Sequence, residues 1–123
     1  MKILVVDDDA SVRRLLRVAL SLEEEVVEVR EAIGGADALE VCTDFKPDVI
    51  FLDYWMPGMD GRATAAGLRD IYPDARIVVF SGVVETKPEW ADAHVVKGRT
   101  AVVDRLIDLA RSSPRVKGSP DRQ

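Results

Sequence analysis

The chain has a single cysteine, Cys42, so it cannot close an internal disulfide, and a reducing compartment such as the cytoplasm is the expected setting. Positive charge is in deficit: 17 Lys and Arg face 22 Asp and Glu, a net charge of −5. Direct binding to nucleic acid or to an anionic membrane calls for a basic surface, so neither is expected. No apolar run approaches the roughly 20 residues that span a bilayer. The opening Met1–Val6 is too short in its apolar part for a signal peptide and meets Asp7-Asp8-Asp9 at once, so it reads as a first strand. Internal repeats are absent.

What is present fits one domain. The 123 residues are 47% hydrophobic and 32% charged, the balance of a globular chain. At this size folding buries roughly two-thirds of the unfolded surface, enough for a core without staples. Four apolar runs stand out: Ile3–Val6, Val49–Leu52, Ile77–Phe80 and Val95–Val96. They are continuous rather than alternating, as in strands buried on both faces of a parallel sheet. A weaker fifth, Val26–Val29, is interrupted by Glu28 and predicts an edge strand.

Helical spacing fills the intervals. Val12, Leu15, Leu16, Ala19 and Leu20 form one stripe, with Ser11 or Asp9 as its cap. Ala38, Cys42 and Phe45 form a second, after Gly34-Gly35. Ala65, Leu68 and Tyr72 form a third, entered through 57–61 and ended before Pro73. Val102, Val103, Leu106, Ile107 and Ala110 predict a last helix. The alternation predicts an α/β domain over 1–112 with right-handed crossovers, followed by a flexible tail or truncated linker over 113–123.

Polar residues follow the strands. Asp7 and Asp8 follow the first run, Asp53 the second, Ser81 the third and Lys97 the last. In a doubly wound sheet these ends share one carboxyl edge, where ligands bind at the reversal of strand order. With order 2-1-3-4-5, the first and third strands are neighbours and bring Asp7, Asp8 and Asp53 together. Three adjacent carboxylates need a counter-charge, a shared proton or a metal, and a few hard oxygen ligands suit Mg²⁺. Lys97 adds a cation and Ser81 a hydroxyl, a set that would clamp a phosphoryl group over Asp53. Taken singly, aspartates after strands are as readily turn formers or caps, the role expected of Asp9 and Asp60.

These residues resemble a known family. Val5-Val6-Asp7-Asp8-Asp9, Leu52-Asp53-Tyr54-Trp55-Met56-Pro57-Gly58-Met59-Asp60-Gly61, Phe80-Ser81-Gly82 and Val96-Lys97 are similar to the motifs of response-regulator receiver domains of two-component signalling, of the chemotaxis-regulator kind. The resemblance runs from Lys2 to about Ser112. It implies a flavodoxin-like doubly wound five-stranded parallel sheet, order 2-1-3-4-5. It further implies that Asp53 accepts a phosphoryl group from a sensor histidine kinase or phosphotransfer protein. Asp8 would hold Mg²⁺ directly or through water, Asp7 would assist, and the Trp55 carbonyl would be a further ligand. Ser81 would bond the phosphoryl oxygens, Lys97 would pair with them, and Gly82 would keep the approach open. Ser81 and the residue at position 94 would form the switch that changes an output surface.

Three departures stand out. Gly98 follows Lys97 where the family usually has a proline after a cis bond. His94 occupies the place of the usual switch aromatic and either takes part in switching or is a half-exposed strand residue. The 16-residue spacing from Ser81 to Lys97 is short for the family and contains Pro88, so the fourth helix is expected to be short or distorted, with Trp90 as core filler. Trp55, two residues past the acceptor, and Val83 are expected to shield an acyl phosphate and slow its hydrolysis.

Rival functions are an aspartyl-phosphate phosphatase, for which the chain has little room, and a degenerate receiver that binds partners without phosphorylation. A flavodoxin-type cofactor site is not expected, because no phosphate loop rich in Ser, Thr and Gly follows the first strand. The output protein or effector domain is left open, as is whether the chain stands alone. A monomer or weak dimer is expected.

Overall fold

The computed structural model describes residues 1–53, 60–81, 87–96 and 108. Its elements alternate as β1 (Lys2–Val6), α1 (Ala10–Ser21), β2 (Glu28–Ala32), α2 (Gly35–Val41), β3 (Val49–Asp53), α3 (Gly61–Ile71), β4 (Arg76–Ser81) and β5 (Ala93–Val96). The strands form one five-stranded sheet in the order β2-β1-β3-β4-β5. Every adjacent pair is parallel.

The continuous apolar runs become strands because both sheet faces are covered. On one face Ile3, Val5, Val49, Phe51, Val78 and Phe80 pack with Leu16 and Leu20 of α1. On the other, Leu4, Val6, Ile50, Leu52 and Ile77 pack with Ala38 of α2 and with Ala65 and Leu68 of α3. Phe51, Ile50 and Leu52 are fully buried. Each such side chain contributes roughly 1.5–3 kcal/mol of transfer free energy.

The helix starts resolve the capping question. The Asp9 carboxylate accepts from the Ser11 and Val12 amides, so Asp9 rather than Ser11 caps α1. Asp60 caps α3 in the same way, through the Arg62 and Ala63 amides. Cys42 and Phe45 are buried just beyond α2, which ends at Val41.

Two sequence expectations need correction. The edge strand is Glu28–Ala32, not Val26–Val29, and Val27 is largely exposed. An edge strand buries few of its side chains, so apolar content is a poor guide to its limits. Leu15 belongs to the apolar stripe by spacing, yet it is 61% exposed; α1 turns Leu16 and Leu20 to the sheet instead.

Residues 87–92, between β4 and β5, are not helical. The remainder of the expected fourth helix, the last helix apart from Asp108, which is helical, and the 113–123 tail lie outside the described residues. Trp90 is partly buried against the α2–α3 face of the core. The Arg69 guanidinium of α3 pairs with Asp92 at 3.0 Å and also donates to the Trp90 carbonyl, which ties this connection to the domain. No helix among the described residues is long and apolar enough to cross a membrane.

Candidate functional site

Sheet register builds the site. Val6 pairs with Leu52, so Asp7 and Asp53 are the next residues on adjoining strands at the carboxyl edge. Asp53 is itself paired with Phe80 of β4. Asp7 is fully buried, Asp53 is 3% exposed and Asp8 faces solvent. One carboxylate oxygen from each of the three lies within 4.8 Å of the others.

The backbone that carries Asp7 is held on every side. Its amide donates to the Ala32 carbonyl of β2 at 3.1 Å. Its side chain accepts from the Asp9 amide at 2.8 Å, a local turn that fixes the carboxylate. Its carbonyl accepts from Arg13 Nη1 at 2.8 Å. Arg13 in turn pairs with Glu31 of β2 at 3.1 Å, and Arg17 joins the same carboxylate at 3.0 Å.

Such a cluster concentrates negative charge. Ionised carboxylates about 5 Å apart repel by roughly 3 kcal/mol per pair at an effective dielectric near 20. A cation placed among them reverses that sign. The donors are all hard oxygens, two buried and one open to solvent, the set preferred by a small divalent ion that keeps several waters. Asp7, Asp8 and Asp53 could therefore hold such an ion.

The other candidate residues are placed less completely. Ser81 ends β4 and pairs in register with Val96, the residue before Lys97. His94 lies on β5 opposite Val79, half-buried. Lys97, Trp55, Gly82, Val83 and Gly98 lie outside the described residues. Sequence reasoning missed Arg13 and Glu31. They are 18 positions apart and meet only because β2 lies beside β1; the one local hint is that Arg13 falls a helical turn after the Asp9 cap.

A family model described as the response regulator receiver domain matches residues 3–103. A protein-glutamate methylesterase/protein-glutamine glutaminase of Myxococcus xanthus is 38% identical over 110 residues, which cover 89% of this chain and 31% of that protein. The response regulator domain of Thermotoga maritima CheB superposes with a TM-score of 0.80 at 23% identity, over 92% of this chain and 95% of that one, a likeness of fold. The response regulator TrrA of Thermotoga maritima, solved with Mg²⁺ and BeF, is 29% identical over 89% of this chain and 97% of its own, with a TM-score of 0.74. TrrA has also been solved in complex with the histidine kinase ThkA, with a TM-score of 0.75 at 29% identity, over 90% of this chain and 98% of that one. The chain spans between 30% and 55% of the length of the first curated relatives it matches.

Proposed function

The chain belongs to the response regulator receiver family, and from that premise we propose that it is a phosphoacceptor switch, charged on Asp53 by a histidine kinase or phosphotransfer protein. The observation that carries this reading is the convergence of Asp7, Asp8 and Asp53 at one sheet edge, with their oxygens within 4.8 Å of one another.

An Asp53 oxygen attacks the phosphorus of a phosphohistidine. The phosphorus–nitrogen bond breaks, the electron pair leaves with the imidazole nitrogen, and an acyl phosphate forms. The protein contributes mainly position and charge to such a transfer. Asp7 and Asp8, with Asp53 and the Trp55 carbonyl, would hold Mg²⁺. When bound, the ion neutralises charge on the transferring phosphoryl oxygens. Ser81 donates its hydroxyl to a phosphoryl oxygen and Lys97 pairs with another. These contacts exist only in the charged state, so they bias an equilibrium between two surface shapes, with His94 in the place of the switch residue. TrrA supports the cation and the partner, since that regulator has been solved with Mg²⁺ and BeF and with a histidine kinase.

α1 starts beside the site. Its exposed Leu15 and Val18 line a shallow depression of about 490 Å³ together with Ala10, Ser11 and Arg14. The receiver unit is residues 1–112. It performs no chemistry beyond its own phosphorylation and a slow hydrolysis, restrained by the bulk of Trp55. The output partner is a protein or effector domain.

Incubation with acetyl phosphate and Mg²⁺, followed by intact mass measurement, tests the reading. The expected result is a gain of one phosphoryl group, lost with EDTA and lost in Asp53→Asn. Continuous turnover of a phosphate ester would identify a phosphatase instead. No mass gain, with partner binding intact, would identify a degenerate receiver.

A further inference from the structure

We propose that Arg13 is a positioning residue for the cation-binding loop, holding the Asp7–Asp8 peptide plane so that both carboxylates meet Asp53. The inference rests on the reading that these three aspartates hold Mg²⁺.

Asp8 is the exposed member of the trio, and its side chain goes where the preceding peptide unit sends it. The peptide unit before Asp7 is fixed by the sheet, through the Asp7 amide and the Ala32 carbonyl. The unit after Asp7 lies beyond the strand ladder, and its carbonyl is held by Arg13 Nη1 at 2.8 Å. Without that bond, the Asp7–Asp8 plane can rock about its two flanking torsions and swing the Asp8 carboxylate with it.

Arg13 is suited to the task. Its side chain is only 14% exposed, and Nε binds Glu31 Oε1 at 3.1 Å while Nη1 holds the carbonyl. Its own backbone amide donates to the Asp9 carbonyl, which anchors the same arginine at the other end of the loop. Glu31 is held in turn by Arg17 and by its register position opposite Val5. The guanidinium is thus clamped from β2 and presents a donor of fixed direction to the loop. A lysine has one ammonium on a flexible stem and cannot reproduce two contacts in a rigid fork. Groups that orient metal ligands in this indirect way commonly alter affinity by 10- to 100-fold when removed.

The competing explanation is that Arg13 merely staples α1 to β2. Arg13→Gln, Arg13→Lys and Glu31→Gln separate the two when three quantities are measured on the full chain. These are the Mg²⁺ dissociation constant by calorimetric titration, hydrogen exchange of the Asp9 amide without metal, and the melting temperature. The Asp9 amide reports the loop because it donates to Asp7 Oδ1. Positioning predicts that Arg13→Gln and Arg13→Lys weaken Mg²⁺ binding by roughly tenfold and speed Asp9 exchange. Glu31→Gln, which keeps the bond to the carbonyl, weakens binding less. If the melting temperature falls while Mg²⁺ affinity and Asp9 exchange stay unchanged, Arg13 is a staple and the proposal is overturned; Arg13→Lys serves this comparison if Arg13→Gln does not fold. If the unsubstituted protein does not bind Mg²⁺, the cation reading fails. Asp9 exchange in the metal-free variants then decides on Arg13: faster exchange sustains its hold on the loop, and unchanged exchange removes it.

Discussion

Replacing Arg69 with methionine should cost this domain about 3 kcal/mol. Arg69 Nη2 and Asp92 Oδ2 are 3.0 Å apart, and the Asp92 side chain is fully buried while that of Arg69 is 20% exposed. Asp92 also accepts from the Ile77 amide at 2.8 Å, and its own amide donates to the Ile77 carbonyl. The pair therefore ties α3 to β4 and to the entry of β5. Removing the arginine leaves a buried carboxylate without its cation, which costs about 3–5 kcal/mol; the surviving Ile77 amide argues for the lower figure. With a urea slope of about 2 kcal/mol/M, the unfolding midpoint should fall by about 1.5 M. Urea unfolding followed by circular dichroism measures this. The double variant Arg69→Met, Asp92→Asn removes both charges but keeps an acceptor for the Ile77 amide, and should regain at least about 1 kcal/mol of the loss, because no uncompensated charge is left buried. Asp92 Oδ1 and Arg69 Nη1 have no hydrogen-bond partner among the described residues, which is what makes the pair imperfect. A loss below about 1 kcal/mol in Arg69→Met, the range of exposed pairs, would refute the reasoning.

Asp60→Ala removes the α3 cap, which accepts from two amides at 3.0 and 3.2 Å, and should cost about 1 kcal/mol in thermal unfolding. Burial pushes the Cys42 thiol up to about 11, so thiol reagents at pH 8 should label it only after denaturant is added. The same shift has a sign in stability: the folded thiol stays protonated while the unfolded one ionises near 9.0, so its contribution is intact below that pH and is lost as pH rises toward 11. Unfolding midpoints at pH 8 and pH 10, compared with those of Cys42→Ala, isolate that contribution.

Legibility in the sequence followed burial. β1, β3 and β4 are apolar on both faces, so Ile3–Val6, Val49–Leu52 and Ile77–Phe80 announce themselves as continuous runs. β2 is an edge strand with only Val29 and Ala32 buried, and the exposed Val27 beside it carries the same chemistry as a core residue. Leu15 shows the limit of periodicity, since a stripe wider than the contact it serves does not say which edge stays in water. The three acidic residues were legible because each lies just past or at the end of a strong strand, and parallel topology gathers such ends. Arg13–Glu31 and Arg69–Asp92 were not, because their partners are 18 and 23 positions apart and meet only through the crossover geometry. Charged residues on helices usually face solvent, so neither arginine carried a signal of its own.

The most direct test of the central claim is to locate the covalent bond. Protein incubated with acetyl phosphate and Mg²⁺ is treated with borohydride, which reduces an aspartyl phosphate to homoserine, and the peptides are sequenced by mass. Homoserine is expected at position 53 and nowhere else. Reduction at Asp7 or Asp8, or phosphate retained on a serine or threonine, would contradict it.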